Sequence, residues 1–599
     1  MRTLINHLGL SLWRLLPGNP IVVRVVQGGG RSAQHLWIRA GYLLILLFVL
    51  VMVQYSMMGG TGGSLSNIAK AGTHIFAWIS LLQLAMMCFL APVFTAGAIS
   101  QEKDAETYNV LLTTPLTNAQ IVLGSLMGRL FFVLVLLLSG LPIFCITMLF
   151  GGVTSEQIFL SFGIAACTAL LTGSLAITIS VMRMGTRGTI FSFYLGIAFF
   201  LLVGLLLGQW SKTFVPGSGM SLVAPFHPFL ALQVAMNQIQ PPETAVVAAY
   251  PWPLATMLAT PPNAFMVVSV AISLLMIAFA TIFVRRGVKQ GEPTIWRRLL
   301  PRRIRAGCEG ERIRRARHVW SNPVAWREAV TRASAASSNL VRYAYVGGGV
   351  VAGALLLFAH GGGWFSDLHE ARNWLTAIVI VEFVTVLLML ANTAATAISR
   401  EREAGTIELL LTTPLTSRYI VWGKLRGLVS FAVPLMALPA ATVLLAALVD
   451  LIRGASTPIV PVSSALYLPF LLLVYSAFIS VLGLQLSLKS KGSVQAVLGT
   501  VGIMMVVAFG LGMCALAAVS GQIAELAALT APATFVSAII LLVNPDMMFA
   551  RSGGVVPFKI QILLFVGTAI AVGLYGAVVA GTYRSMISNF DMIIRKQSK

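Results

Sequence analysis

Apolar stretches long enough to cross a lipid bilayer recur along nearly the whole chain, and no other feature restricts its fold as strongly. A helix crossing a hydrocarbon core of about 30 Å needs about 20 apolar residues. Such runs fall near residues 37–58, 74–99, 121–150, 157–182, 189–209, 264–284, 340–359, 374–398, 420–449, 463–487, 495–519 and 558–582. Inside lipid, backbone N–H and C=O groups must be satisfied within the protein, and uninterrupted apolar runs of this length meet that demand as helices. Composition agrees, with 57% hydrophobic and 10% charged residues, against about 45–50% and about 25% in soluble domains. The expected fold is therefore an all-α polytopic membrane protein with about 12 spans.

The formal net charge of +22 matters less than where the charge sits. Arg2, Arg14, Arg24, Arg31 and Arg39 lie before the first run or at its very start without an accompanying acid, and the central loop contains "RRLLPRRIR" and "ERIRRAR". Arginine-rich flanks mark the cytoplasmic side. Both termini and the centre are thus expected in the cytoplasm, which requires an even number of spans in each half; six and six satisfies it. The expected division is a cytoplasmic amphipathic segment at 1–36, a first six-span unit at 37–285, a basic linker with a surface helix at 286–339, a second six-span unit at 340–583 and a cytoplasmic tail at 584–599. Nucleic acid is not an expected partner, because aromatic interleaving and any nucleic-acid-binding module are missing from the basic loop. "MRTLINHLGLSLWRLLPG" lacks the sustained apolar run of a cleaved signal peptide. It reads as an interfacial helix with Leu4, Leu8, Leu12 and Leu15 or Leu16 on one face. Cys88, Cys145, Cys167, Cys308 and Cys514 are scattered singly, which fits neither a disulfide framework nor a zinc site. His360, Asp367, His369 and Glu370 in "HGGGWFSDLHE" lack recognised ligand spacing, so a solvated loop is the better reading and no metal is expected.

The two halves repeat each other. Residues 98–128 match 397–427 at 18 of 31 positions without a gap, around a shared "LLTTPLT". Upstream, Asn19-Pro20, Arg24, Arg39 and Tyr42 pair in register with Asn322-Pro323, Arg327, Arg342 and Tyr345. The repeated unit is therefore the whole six-span half. Because each unit is expected to begin and end in the cytoplasm, the repeats are parallel, unlike the inverted repeats of many secondary transporters.

Each matched segment falls between the second and third expected spans of its half, on the cytoplasmic side. "SREREAGTIELLLT" predicts a helix from Ser399, a candidate N-cap, to Pro414, which stops it; Pro115 stops the first copy. Helical spacing puts Glu401, Gly405, Glu408 and Thr412 in one stripe, and Glu403, Ile407, Leu410, Leu411 and Pro414 in another. The first-copy stripes are Glu102, Glu106, Asn109 and Thr113, against Tyr108, Leu111, Leu112 and Pro115. Such a helix can rest its apolar face on the membrane domain and offer its polar face to a soluble partner. An ordinary interfacial loop, with its glutamates paired to Arg418, Lys424 or Arg426, is the alternative. The Asn-Pro pairs suit the start of a surface helix with proline at its first position; a plain turn is equally compatible for the first pair, since "VVQGGGR" follows.

"ISREREAGTIELLLTTPLTSRYIVWGK" resembles the hallmark segment of ABC-2 type transporter permeases, the membrane subunits of ATP-binding cassette exporters, through Glu401, Gly405, Thr406, Glu408, Leu410, Leu411, Thr413, Pro414, Ile420, Gly423 and Lys424. The resemblance implies two fused permease units, each with a coupling helix that docks on a cytosolic ATPase subunit, acting as a dimer, and a connecting helix at each Asn-Pro pair. The first copy departs from the pattern: Glu106 replaces the glycine, Asn109 the second glutamate and Ser125 the lysine. An asymmetric transporter with two unequal docking sites is implied.

The chain contains no G-x-x-x-x-G-K-S/T phosphate loop. It is expected to be non-catalytic and to bind no cofactor itself, with ATP and magnesium held by the partner. Glu382 lies within an expected span, with Gln83 at the matching position of the first half, and charge in that setting faces protein or water. The two are expected to hydrogen-bond across the interface between halves as structural glue; a substrate-contacting or proton-linked role is the alternative. "LLSGLP" in the third span reads as a kinked helix. The proline-rich stretch near 223–262 is expected to fold against the outer membrane face, with "LLVNPDMMFARSGGVVP" as its shorter counterpart, so that both cap the exit of the path. The expected function is an exporter permease in the cell membrane, in contact with lipid and with a transported substrate that the sequence does not specify. A non-transporting anchor or motility-type component of the same family is the alternative, and a secondary transporter the third.

Overall fold

The computed structural model describes residues 18–30, 33–58, 65–104, 113–182, scattered positions between 193 and 208, 214–284 except 217, 322–362 except 335, 368–403, 405–407, 412–454, 458–490, 492–512, 524–544 and 558–597. Among the described residues there is no β-strand, and one isolated bridge joins Phe214 to Ser221. Among the described residues eight helices are long and apolar enough to cross a membrane, and shorter apolar helices lie at His35–Val51, Tyr345–Gly361 and Gln495–Ala508. The expected span at 189–209 is described only at scattered helical positions.

In the first half the order is α1 (Pro20–Gly30), α2 (Ala33–Met58), α3 (Leu65–Asp104), α4 (Asn118–Ser139), α5 (Leu141–Leu149), α6 (Ser155–Met182), α7 (Pro228–Ala235) and α8 (Pro261–Phe283). The second half has α9 (Pro323–Ser334), α10 (Ala336–Gly361), α11 (Leu368–Ala395), α12 (Ser399–Glu403), α13 (Ser417–Arg453), α14 (Val462–Lys489), α15 (Ser493–Met505), α16 (Ala524–Thr530), α17 (Phe535–Val543) and α18 (Phe558–Gln597). The first Asn-Pro pair opens a helix rather than a plain turn, because Pro20 supplies the preset φ of a first helical residue and Asn19 Oδ1 accepts from Ile21 N at 3.0 Å. The third span of the first half divides at Gly140 into α4 and α5, with Pro142 at the start of α5, as the kinked reading of "LLSGLP" predicts. α18 continues as one helix into the segment expected as the cytoplasmic tail. Met586, Phe590 and Ile594 are buried in a cluster with Ile398, Ile407, Ile420 and Leu488, which fixes the end of the chain against the second matched segment.

Each half has its own apolar core, and the halves meet where Cys88 of α3, Ala176 of α6, Phe193, Ile197 and Leu201 join the core of the second half. α15 packs against α3, and a π-helical turn at Val506–Leu511 packs against α2. The stretch after the fifth expected span folds as short elements, among them a 3-10 turn at Ala224–Phe226 leading through His227 into α7, which packs on α3, α6 and α8. Its counterpart in the second half starts earlier than the sequence suggested: a 3-10 turn at Ala531–Ala533 leads through Thr534 into α17. "TAPATF" carries the same Ala-Pro turn as "VAPFHPF", but it is embedded in an apolar run that masks its polar boundaries. Residues 545–557 lie outside the described set.

Candidate coupling site

The "PLT" of each matched segment ends in a threonine that starts the next helix. Thr117 caps α4 through a reciprocal pair with Gln120: Thr117 Oγ1 accepts from Gln120 N at 3.2 Å, and Gln120 Oε1 accepts from Thr117 N at 2.9 Å. Thr416 accepts from Tyr419 N at 3.4 Å at the start of α13. Pro115 and Pro414, both exposed, precede these caps and prevent the upstream helix from running through.

Onto the first turns of α4 and α13 sit the two Asn-Pro helices, in the same way. Asn19 Nδ2 donates to Gln120 O at 2.8 Å, and Asn322 Nδ2 reaches Tyr419 O at 3.5 Å. Both asparagines are buried. The close approach needs glycine on the opposing helix: a Cβ added at Gly124 would lie 2.6 Å from Asn19 Nδ2, and one at Gly423 would lie 3.0 Å from Asn322 Oδ1. Gly423 of the "GK" pair is thus a packing site for the connecting helix.

α12 is shorter than the sequence predicts. A helix continuous from Ser399 to Pro414 is not formed, because Gly405 adopts a left-handed backbone, φ +66°, and ends it; Thr406 and Ile407 resume helical geometry. Nor is Ser399 its N-cap. Ser399 is buried, its Oγ donates to Ala395 O at 3.1 Å, and its N–H donates to Ser487 Oγ at 2.9 Å.

Three consecutive charged residues of α12 reach four different elements. Glu401 forms ion pairs with Arg327 of α9 and, at 2.7 Å, with Lys424 of α13. Arg402 donates to the Ser487, Leu488 and Ser490 carbonyls, closing the end of α14. Glu403 accepts from Ser493 N at 2.7 Å and Ser493 Oγ at 2.8 Å, which anchors the start of α15. Glu401 of the acidic stripe therefore faces inward, its side chain only 15% exposed, while Gly405 and Thr412 of the same stripe are exposed. The pairing of a glutamate with Lys424, given above as the bland alternative to partner contact, is the observed state. Thr406 Oγ1 donates to Glu401 O at 3.1 Å and braces the turn. Glu408, Glu106 and residues 105–112 lie outside the described set, as does the side chain of Glu102.

Inside the membrane region Glu382 and Gln83 are buried but do not bond to each other. Glu382 Oε2 accepts from Thr442 Oγ1 at 3.1 Å, while Gln83 Oε1 accepts from Tyr42 O–H at 3.3 Å. Each is held inside its own half, since α11 packs against α10 and α13 and turns this position toward them rather than toward the interface between halves. At the opposite end from α12, His360 Nε2 lies 3.0 Å from Asp450 Oδ1, and Arg372 donates to Pro458 O and Ile459 O at 2.8 and 3.0 Å.

Apolar helices long enough to cross a membrane, with a matched polar elbow in each half, define a multi-pass membrane protein. The family model for "ABC-2 family transporter protein" matches residues 35–288 and 329–552, and the chain belongs to that family. The match falls in two regions, as expected of two fused permease units. Comparison with curated proteins yields no match.

Proposed function

We propose that this chain is the membrane-spanning subunit of an ABC-type exporter, with two six-span units in one polypeptide, both termini and the central loop in the cytoplasm, and a separate cytosolic ATPase docking near residues 100–115 and 399–414. ATP and magnesium belong to that partner. The observation that carries the proposal is the doubled elbow: in each half an Asn-capped surface helix is seated through a glycine on the first turn of the helix that follows "TTPLT". A load applied to either matched segment enters the membrane domain through this joint. With Glu401 turned inward, the exposed surface that the described residues of this segment offer a partner is the turn around Gly405 and Thr412–Pro414. The test is purification of the tagged chain from its native membrane. Co-purification of an ATPase subunit, with no ATP turnover by the chain once that subunit is stripped away, is the expected result. Turnover by the isolated chain overturns the proposal.

A further inference from the structure

Lys424 is 1% exposed, and its ammonium group is shared among three elements. Nζ donates to Glu328 Oε1 of α9 at 3.0 Å and to Ala397 O, between α11 and α12, at 3.1 Å. It also lies in ion-pair contact with Glu401 Oε2 of α12 at 2.7 Å, off the line of a hydrogen bond. Arg327, half exposed, closes the cluster on its outer side through Glu401 and lies 3.8 Å from Glu328. Two cations and two carboxylates thus join the connecting helix, the matched segment and the third-span helix at one buried point. The register of the repeat places Val25 opposite Glu328 and Ser125 opposite Lys424 in the first half. There Val25 packs toward Gly128, and a Cβ on that glycine would lie 3.1 Å from Val25 Cβ. The first-half joint has the asparagine but neither of the two inner charges.

We propose that Lys424 is a positioning residue that makes α9, α12 and the start of α13 move as one body, so that a displacement of the second matched segment is transmitted directly to the third span. The first half, with valine and serine at these positions, transmits the same displacement more loosely. This rests on the reading of the matched segments as ATPase docking sites. It relocates the asymmetry between the halves, which lies in the stiffness of the joint rather than in charge offered to the partner.

The test compares the full chain with Lys424→Met, which takes from Glu328 its nearest cation and leaves Glu401 paired to Arg327 alone, and with the triple variant Glu328→Gln, Glu401→Gln, Lys424→Met, which removes the cluster without leaving a buried unpaired charge. The triple variant guards against simple misfolding of the single one. Amide hydrogen exchange is read for 322–334, 399–407 and, as internal control, 20–30. In the triple variant the two second-half segments are expected to exchange about tenfold faster, while the thermal midpoint and exchange at 20–30 stay as in the parent. In the complex with the co-purified ATPase, the membrane chain's effect on ATP turnover, measured per bound ATPase, is expected to be lost. Native-like exchange in both segments overturns the proposal, as does normal coupling in a triple variant whose segments have loosened. Failure of the docking reading shows differently, as a parent chain that captures no ATPase, and the exchange result then still decides whether Lys424 joins the three elements.

Discussion

Gly405 gives the sharpest separation between backbone strain and partner contact. Its φ of +66° lies in the left-handed region, and its N–H donates to Arg402 O at 3.0 Å to close α12. Among the described residues no heavy atom lies within 4 Å of a Cβ added there, so substitution meets no steric barrier from them. The cost left is conformational: about 1–2 kcal/mol for alanine in this region, and less for asparagine, whose short polar side chain tolerates it. A cost of that size changes a local opening equilibrium by a factor of about 5–30. Gly405→Ala should therefore accelerate amide exchange across 399–407 by about that factor, and Gly405→Asn by distinctly less. ATPase capture should follow the same order. Equal acceleration by the two variants would refute the strain argument. Unchanged exchange with capture lost in both variants would show that a partner's surface approaches the backbone at Gly405.

Two further outcomes follow from the joints and the charge pattern. Gly124→Ala pushes a methyl group to 2.6 Å from Asn19 Nδ2 and should displace Asn19, with loss of about 1 kcal/mol for its capping role and about 1 kcal/mol for its bond to Gln120 O; Gly423→Ala, with a closest approach of 3.0 Å, should cost less, and thermal unfolding of each purified variant checks the order. In a chain retaining Cys308 as its sole cysteine, a membrane-impermeant thiol reagent should label only after cells are permeabilised; labelling in intact cells contradicts a cytoplasmic central loop.

The membrane character, most of the helices and the doubling were legible because each depends on chain-local or self-comparative signals: run length for spans, proline at the first helical position for α9, and direct register for the repeat. The positions where the structure differs depend on contacts distant in sequence. Helical spacing correctly grouped Glu401 with the matched segment, but spacing alone does not say which way a charged stripe faces. That was decided by Lys424 and Arg327, which arrive from other helices and make an inward orientation favourable. Likewise Glu382 and Gln83 share a register, yet Thr442 and Tyr42 capture them separately. A signal for the break at Gly405 was present in the glycine itself; it was overridden by the strong helix formers on both sides, which raise local propensity without relieving the turn imposed by packing. α17 was missed for the opposite reason, since an apolar segment at the edge of a span has no pattern of its own to separate it from one.

The divergence between halves follows from the cost of burying charge. A lysine as enclosed as Lys424 is tolerated only while its carboxylates remain, and the inner carboxylate of Glu328 only while the lysine remains, because removing one partner of a buried pair leaves the other without its close counter-charge at a cost of about 3–5 kcal/mol. A half with Ser125 facing a glutamate, or with a lysine facing Val25, would carry that penalty; the first half has both positions neutral, the arrangement that avoids it. Glu102 and Arg24 retain the charges of Glu401 and Arg327, whose counterpart pair includes an arginine that is 51% exposed and so hydrated whatever happens to the lysine. The outer pair can therefore persist in both halves, whereas the inner pair is kept or lost together. On this basis Ser125 and Val25 are a coherent alternative joint, and the family pattern's departure at Ser125 is half of a two-residue change whose other half lies in the connecting helix.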